Sequence, residues 1–185
     1  MNIFDAITRF FARLFELKEG GTVMPSPKRP KFMDIDITVS KLSAPTKEWP
    51  DGYKFEMSDE KGKGLGKKVD FKNDKHPGFI VLFTLVEGDK HNPTGCQFLP
   101  DLDDAMWVQP SGLPDPPCPS SPAYWGQFRA VDVVDHSKTE RFRTLIVYNK
   151  NGFEQMFAFT LRFEIPGYSK VVEFDPVGNN QNGDR

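Results

Sequence analysis

Residues 153–165 alternate along their whole length. Phe153, Gln155, Phe157, Phe159, Leu161, Phe163 and Ile165 fall on one side of an extended chain, and the residues between them fall on the other. A period of two is that of a β-strand, whose successive side chains point to opposite faces. Six of those seven residues are large and apolar, so the strand needs a core to face, and an isolated strand cannot make one. The chain must therefore build sheet around this stretch.

The same period recurs upstream. Ile35, Ile37 and Val39 alternate with Asp34, Asp36 and Thr38, which predicts a half-buried strand with one polar face. Tyr53, Phe55 and Met57 repeat the pattern after the turn Pro50-Asp51-Gly52. The run from Gly78 to Val86 is apolar throughout except for Thr84, which suits a central strand covered on both faces. Shorter strands are expected at 69–71, 96–99, 105–109, 127–135, 141–149 and 170–174. Asn151-Gly152, able to take positive φ, reads as the turn of a hairpin between two of them. Six prolines between Pro110 and Pro122 cannot hold a ladder and predict a surface loop, partly polyproline II.

Eight to ten short strands, turns about every ten residues and no alternation of strands with helices predict an all-β fold. The specific expectation is an antiparallel β-sandwich, Ig-like or jelly-roll-like, over residues 32–176, followed by a polar tail at 177–185. Sixteen prolines and fifteen glycines fit many turns and little helix. No internal repeat is present.

Residues 1–19 depart from this pattern. At about 100° per residue, Ile3, Ile7, Phe10, Leu14 and Leu17 line one stripe with Phe4, Phe11 and Phe15 beside it, and Asp5, Arg9, Arg13 and Glu16 lie opposite. This predicts an amphipathic α-helix whose apolar arc covers roughly half the cylinder. Gly20-Gly21 stops it, and Met24-Pro-Ser-Pro-Lys-Arg-Pro-Lys31 cannot be helix or central strand. Residues 20–31 thus read as an extended linker that tethers the helix to the domain. The eight apolar residues need a surface: a protein partner, a second copy, a membrane interface or the chain's own sheet. Charges on the helix nearly cancel, Asp5, Glu16 and Glu19 against Arg9, Arg13 and Lys18, which is not the Lys/Arg-rich polar face that anionic lipid favours. Lys28, Arg29 and Lys31 in the linker restore part of it.

Little else points to chemistry. A net charge of −2 argues against general nucleic-acid binding, which needs a broad basic surface. Gly62-Lys-Gly64-Leu-Gly66-Lys67-Lys68 is not a phosphate loop, because Lys61 stands where the first glycine belongs and Lys68 where Ser or Thr belongs. It reads as a mobile basic loop, and Lys67 and Lys68 join Lys28, Arg29 and Lys31 as candidate anion contacts. Asp101, Asp103 and Asp104 lack the glycine and distal glutamate of a calcium loop and read as a solvated turn. His76, His91 and His136 have no metal-site spacing, and no Ser-elbow or Cys-His signature is present. Neither a catalytic residue, a metal nor a cofactor is expected. Trp49, Trp107, Tyr124 and Trp125, near turns or prolines, read as caps on the ends of the sandwich, with a ligand or carbohydrate face as the alternative. Cys96 and Cys118 form no CxxC pair and read as free thiols of a cytoplasmic protein, with a disulfide between them as the alternative. No secretory h-region or spanning helix is seen.

From about Gly78 to Gly183 the chain resembles the DP-EP family of small bacterial β-proteins. The likeness rests on the strand order, on Gly95-Cys-Gln-Phe-Leu-Pro100, on the strand 153–165, and on Phe174-Asp175-Pro176-Val-Gly-Asn-Asn near the end. The Glu-Pro that follows Asp-Pro in the family is missing here. The resemblance implies a β-sandwich and no reaction, so no functional residues carry over. The reading is a non-catalytic binding or assembly module whose helix docks on a protein partner or on copies of itself. A peripheral membrane protein anchored by the same helix comes second, and an enzyme with a loop-borne active site third.

Overall fold

The computed structural model describes residues 30–71, 78–110, 119, 125–134, 143–152 and 154–180. The expected N-terminal helix lies outside them, with Lys28, Arg29, Cys118, Tyr124, His76, His136, nearly all of the proline-rich stretch and residues 181–185. The described chain is all-β apart from one helical turn. Its strands are β1 (Lys31–Lys41), β2 (Tyr53–Asp59), β3 (Gly64–Gly66), β4 (Lys68–Phe71), β5 (Phe79–Glu87) and β6 (Gln97–Phe98). After the turn α1 (Leu102–Ala105) come β7 (Met106–Pro110), β8 (Phe128–Val134), β9 (Thr144–Asn149), β10 (Gln155–Glu164), β11 (Val172–Phe174) and β12 (Val177–Asn180).

The strands form two mixed sheets. The first runs β3-β2-β1-β5-β9-β8. The second is built on β10, the strand of the long alternation. Phe157 pairs with Gly178 of β12 and with Pro110 of β7, and Phe163 with Val172 of β11 and Phe98 of β6. One edge of β10 is therefore lined end to end by β12 and β11, and the other by β7 and β6. The strand β4 lies beyond β12.

One core joins the two sheets. Ile35, Ile37 and Val39 of β1 and Phe79, Val81 and Phe83 of β5 are buried in it. From the second sheet, Phe163 stacks on Phe55 with centroids 4.9 Å apart, Phe159 meets Phe83 at 5.7 Å and Phe157 meets Phe128 at 4.7 Å. Aromatic pairs of this kind add about 0.5–1.5 kcal/mol each beyond their buried area.

Four details differ from the sequence reading. The sheets are not purely antiparallel: β1 pairs with β5 in parallel from Lys31↔Phe79 to Val39↔Glu87, and β4 with β12 in parallel. A parallel pair needs a long crossover; here β2, β3 and β4 supply it in place of a helix. Asn151 does take a positive φ of 49°, yet no hairpin forms. Asn149 already pairs with Phe79 on one side and Phe128 on the other, so β9 has no free edge and the chain crosses to the second sheet instead. The stretch read as a tail begins with a strand, because Val177–Asn180 completes the edge of β10 beyond the break at Asp175-Pro176. The stretch read as a basic loop likewise contains β3, an edge strand on β2 with a bulge at Met57/Ser58.

Candidate functional site

The connection from β1 to β2 places Trp49 at the end of the core. Its own N–H donates to Thr46 Oγ1 at 3.0 Å, and its carbonyl accepts from Thr46 N–H and from Gly52 N–H, each at 3.0 Å. Gly52 sits at φ 79°, which glycine adopts without strain. The indole packs on Phe55 and Phe174, 6.0 and 6.1 Å away. Lys67 Nζ lies 4.8 Å from the ring and 3.4 Å from Glu48 Oε1.

Two clefts adjoin Trp49. One, of about 320 Å³, is bounded by Lys47, Asp51, Tyr53, Glu173 and Asp175; the other, of about 250 Å³, by Lys54, Glu56, Met57 and Gly64. Around the larger one stand four carboxylates, Glu48, Asp51, Glu173 and Asp175, against Lys47 and Lys67. The Tyr168 hydroxyl donates to Asp51 Oδ1 at 2.6 Å, and this bond holds its proton above the usual phenol range. The arrangement offers a ring edge and paired charges, contacts that suit a polar ligand.

The candidate anion contacts do not gather at one place. Lys67 pairs with Glu48, and Lys68 Nζ lies 3.3 Å from Asp70. Lys31 opens β1 opposite Phe79, whereas Phe55, beside Trp49, pairs with Val39. Eight residues of strand, roughly 26 Å, separate those two ends. Exposed ion pairs such as Lys68–Asp70 are worth about 0–1 kcal/mol. Of the other aromatics, Trp107 is buried under the guanidinium of Arg162, 3.8 Å from the ring, and Trp125 packs on Phe157 at 5.0 Å.

A second apolar cluster lies on the face of the first sheet turned away from the core. The register sets Phe32, Ile80 and Tyr148 in one row across β1, β5 and β9, and Asp34, Leu82 and Ile146 in the next. Ile80, Ile146 and Val134 are buried, and Leu82, Val131 and Tyr148 pack partly buried against them. Thr84 and Thr144 hydroxyls meet at 3.1 Å in the following row. Asp34 borders the cluster; burial, then Glu60 and Asp36, push its carboxyl above the usual range. The sequence shows both faces of β5 as apolar but does not connect Ile80 and Leu82 with Ile146. Their adjacency depends on which strand takes the edge of β5.

Other polar groups serve the fold. Glu87 accepts from Thr94 N–H at 2.8 Å, Thr94 Oγ1 at 2.9 Å, Gly95 N–H at 2.9 Å and Arg143 at 3.0 Å, which fastens the connection after β5. Cys96 beside it is a free, buried thiol, and burial holds it protonated far above the usual range. Asp101 caps α1 by accepting from Asp103 N–H at 2.9 Å. His91 stands exposed in a loop. Among the described residues, no group of three or more His, Cys, Asp or Glu is placed to hold a metal ion, and no helix is long and apolar enough to cross a membrane.

No model of a known protein family matches the chain, and no curated protein matches it either.

Proposed function

We propose that the protein is a non-catalytic binding or assembly module. Its all-β body, read as an Ig-like or jelly-roll-like sandwich of the DP-EP kind, carries an N-terminal amphipathic helix. That helix docks on a protein partner or on a second copy through Ile3, Phe4, Ile7, Phe10, Phe11, Leu14, Phe15 and Leu17. One observation supports this reading above others: the core between the sheets is filled by the body's own aromatic side chains, such as Phe55, Phe83, Phe128, Phe157 and Phe163. The four N-terminal phenylalanines call for a further apolar surface. Burying each is worth about 1.5–3 kcal/mol, enough to hold an assembly together.

Sedimentation of the full chain from micromolar to millimolar concentration tests the proposal. Self-association that Phe10→Asp/Phe11→Asp abolishes is the expected result; association unchanged in the variant counts against it. In the second reading the same helix lies in a membrane interface, which Lys28, Arg29 and Lys31 favour through their charge.

A further inference from the structure

Ile80 and Val134 are 0% exposed and Ile146 is 2% exposed, although all three belong to the outer face of the first sheet. Neighbours on a sheet face stand about 5–7 Å away and shield only the flanks of a side chain. The tips of such residues stay in water unless another layer lies above them. The burial is that of a single chain.

We propose that the covering layer is the chain's own N-terminal amphipathic segment, residues 1–18, docked with Ile7, Phe10, Phe11 and Leu14 over Ile80, Leu82 and Ile146. The tether favours it. The body begins at Pro30 and Lys31, and the next residue, Phe32, stands beside Ile80 and is 46% exposed. The segment thus joins the body at the border of the patch it would cover. An eleven-residue linker, Gly20 to Pro30, reaches about 35 Å when extended, and the sheet of six strands is about 25 Å wide. Eighteen residues of helix are about 27 Å long, which matches that width. Charge agrees as well: the β1 side of the patch carries Asp34 and Asp36 with Glu60 near them, the segment ends in Lys18, and its linker brings Lys28 and Arg29. A tether this short sets an effective concentration in the millimolar range, well above that of a second copy in dilute solution.

The inference rests on the proposed role of the helix and adds its control. While docked in cis, the apolar face is withheld from a partner or another copy. Assembly then requires the segment to leave its own sheet.

A photoreactive benzoylphenylalanine at position 11 of the full chain tests this directly. The protein is irradiated at low micromolar concentration and the adducts are mapped by mass spectrometry. The expected adduct is within one chain and lies on β5 or β9, near Leu82, Ile146 or Tyr148. An adduct between chains would assign the face to a second copy and overturn the proposal. So would no adduct, or one elsewhere in the chain, including residues 135–142. Leu82→Lys, at a half-buried position, is expected to reduce the adduct at least about tenfold, because a charge would lie under the helix. The same variant lowers the concentration at which the chain self-associates. If the cis adduct forms but Phe10→Asp/Phe11→Asp leaves association unchanged, the docking stands and the assembly reading fails. If association is lost in that variant and no cis adduct forms, the reverse holds.

Discussion

The side-chain amide of Asn149 donates to the side-chain oxygen of Asn180 at 2.8 Å, joining β9 of the first sheet to β12 of the second. Both residues are buried. Asn149 Oδ1 also accepts the backbone N–H of Asn151, at 2.8 Å, where the chain turns from one sheet toward the other. A buried polar bond of this kind contributes modestly when made and costs more when one partner is removed. Asn149→Ala is therefore expected to destabilise the fold by about 1–3 kcal/mol, read as a lower urea midpoint with an unchanged m value.

Gly178 faces the ring of Phe157, and a methyl group added there would collide with the ring. Both are central to the second sheet, paired across β12 and β10. Gly178→Ala should cost about 1–3 kcal/mol through displacement of Phe157. Combining it with Phe157→Leu should cost less than the sum of the two single changes, which a double-mutant cycle measures. Additive costs would show that the close approach is not the cause.

Asp34 predicts a pH effect. Burial and the nearby charges of Glu60 and Asp36 raise its pKa in the folded chain. The folded state then holds the proton more tightly than the unfolded state does. Stability falls as pH rises from the ordinary carboxylate value, about 4, through the raised one. Asp34→Asn should accordingly stabilise at pH 7 and have no such effect near pH 3. Asp34 remains partly exposed, so screening limits the gain to about 0.5 kcal/mol, or about 1–2 °C in Tm. Thermal melts of both proteins at the two pH values provide the check.

Cys96 should be inert in the native protein. Its thiol is buried and held protonated, whereas reaction needs an accessible thiolate. Iodoacetamide at pH 8 followed by peptide mapping is expected to leave Cys96 unmodified until denaturant is added. Native modification at a rate near that of a free thiol would contradict the burial.

The membrane reading makes its own prediction. The full chain should float with vesicles containing anionic lipid, detach as salt rises, and fail to float as Phe10→Asp/Phe11→Asp. A chain that stays in the soluble fraction at low salt removes that reading and leaves the apolar stripe to protein surfaces.

The alternation of apolar and polar residues was legible wherever a strand has one face in the core. It located β1, β2 and β10, and it identified Ile35, Ile37, Val39, Phe157, Phe159 and Phe163 as core, while β5 was legible as a continuous apolar run. This works because side-chain direction along a strand depends on local backbone geometry alone. Pairing between strands has no such local code. The parallel contact of β1 with β5, the crossing at Asn151-Gly152 and the recruitment of Val177–Asn180 all depended on which edges remained open. The same holds for the candidate sites. Lys67 was visible as a basic residue, but only the tertiary structure set it against Trp49 and Glu48. Ile80 and Ile146, distant in the chain, became one patch because β9 took the edge of β5. The sequence by itself determined which side of each strand is apolar; the competition of strands for free edges decided what those sides meet.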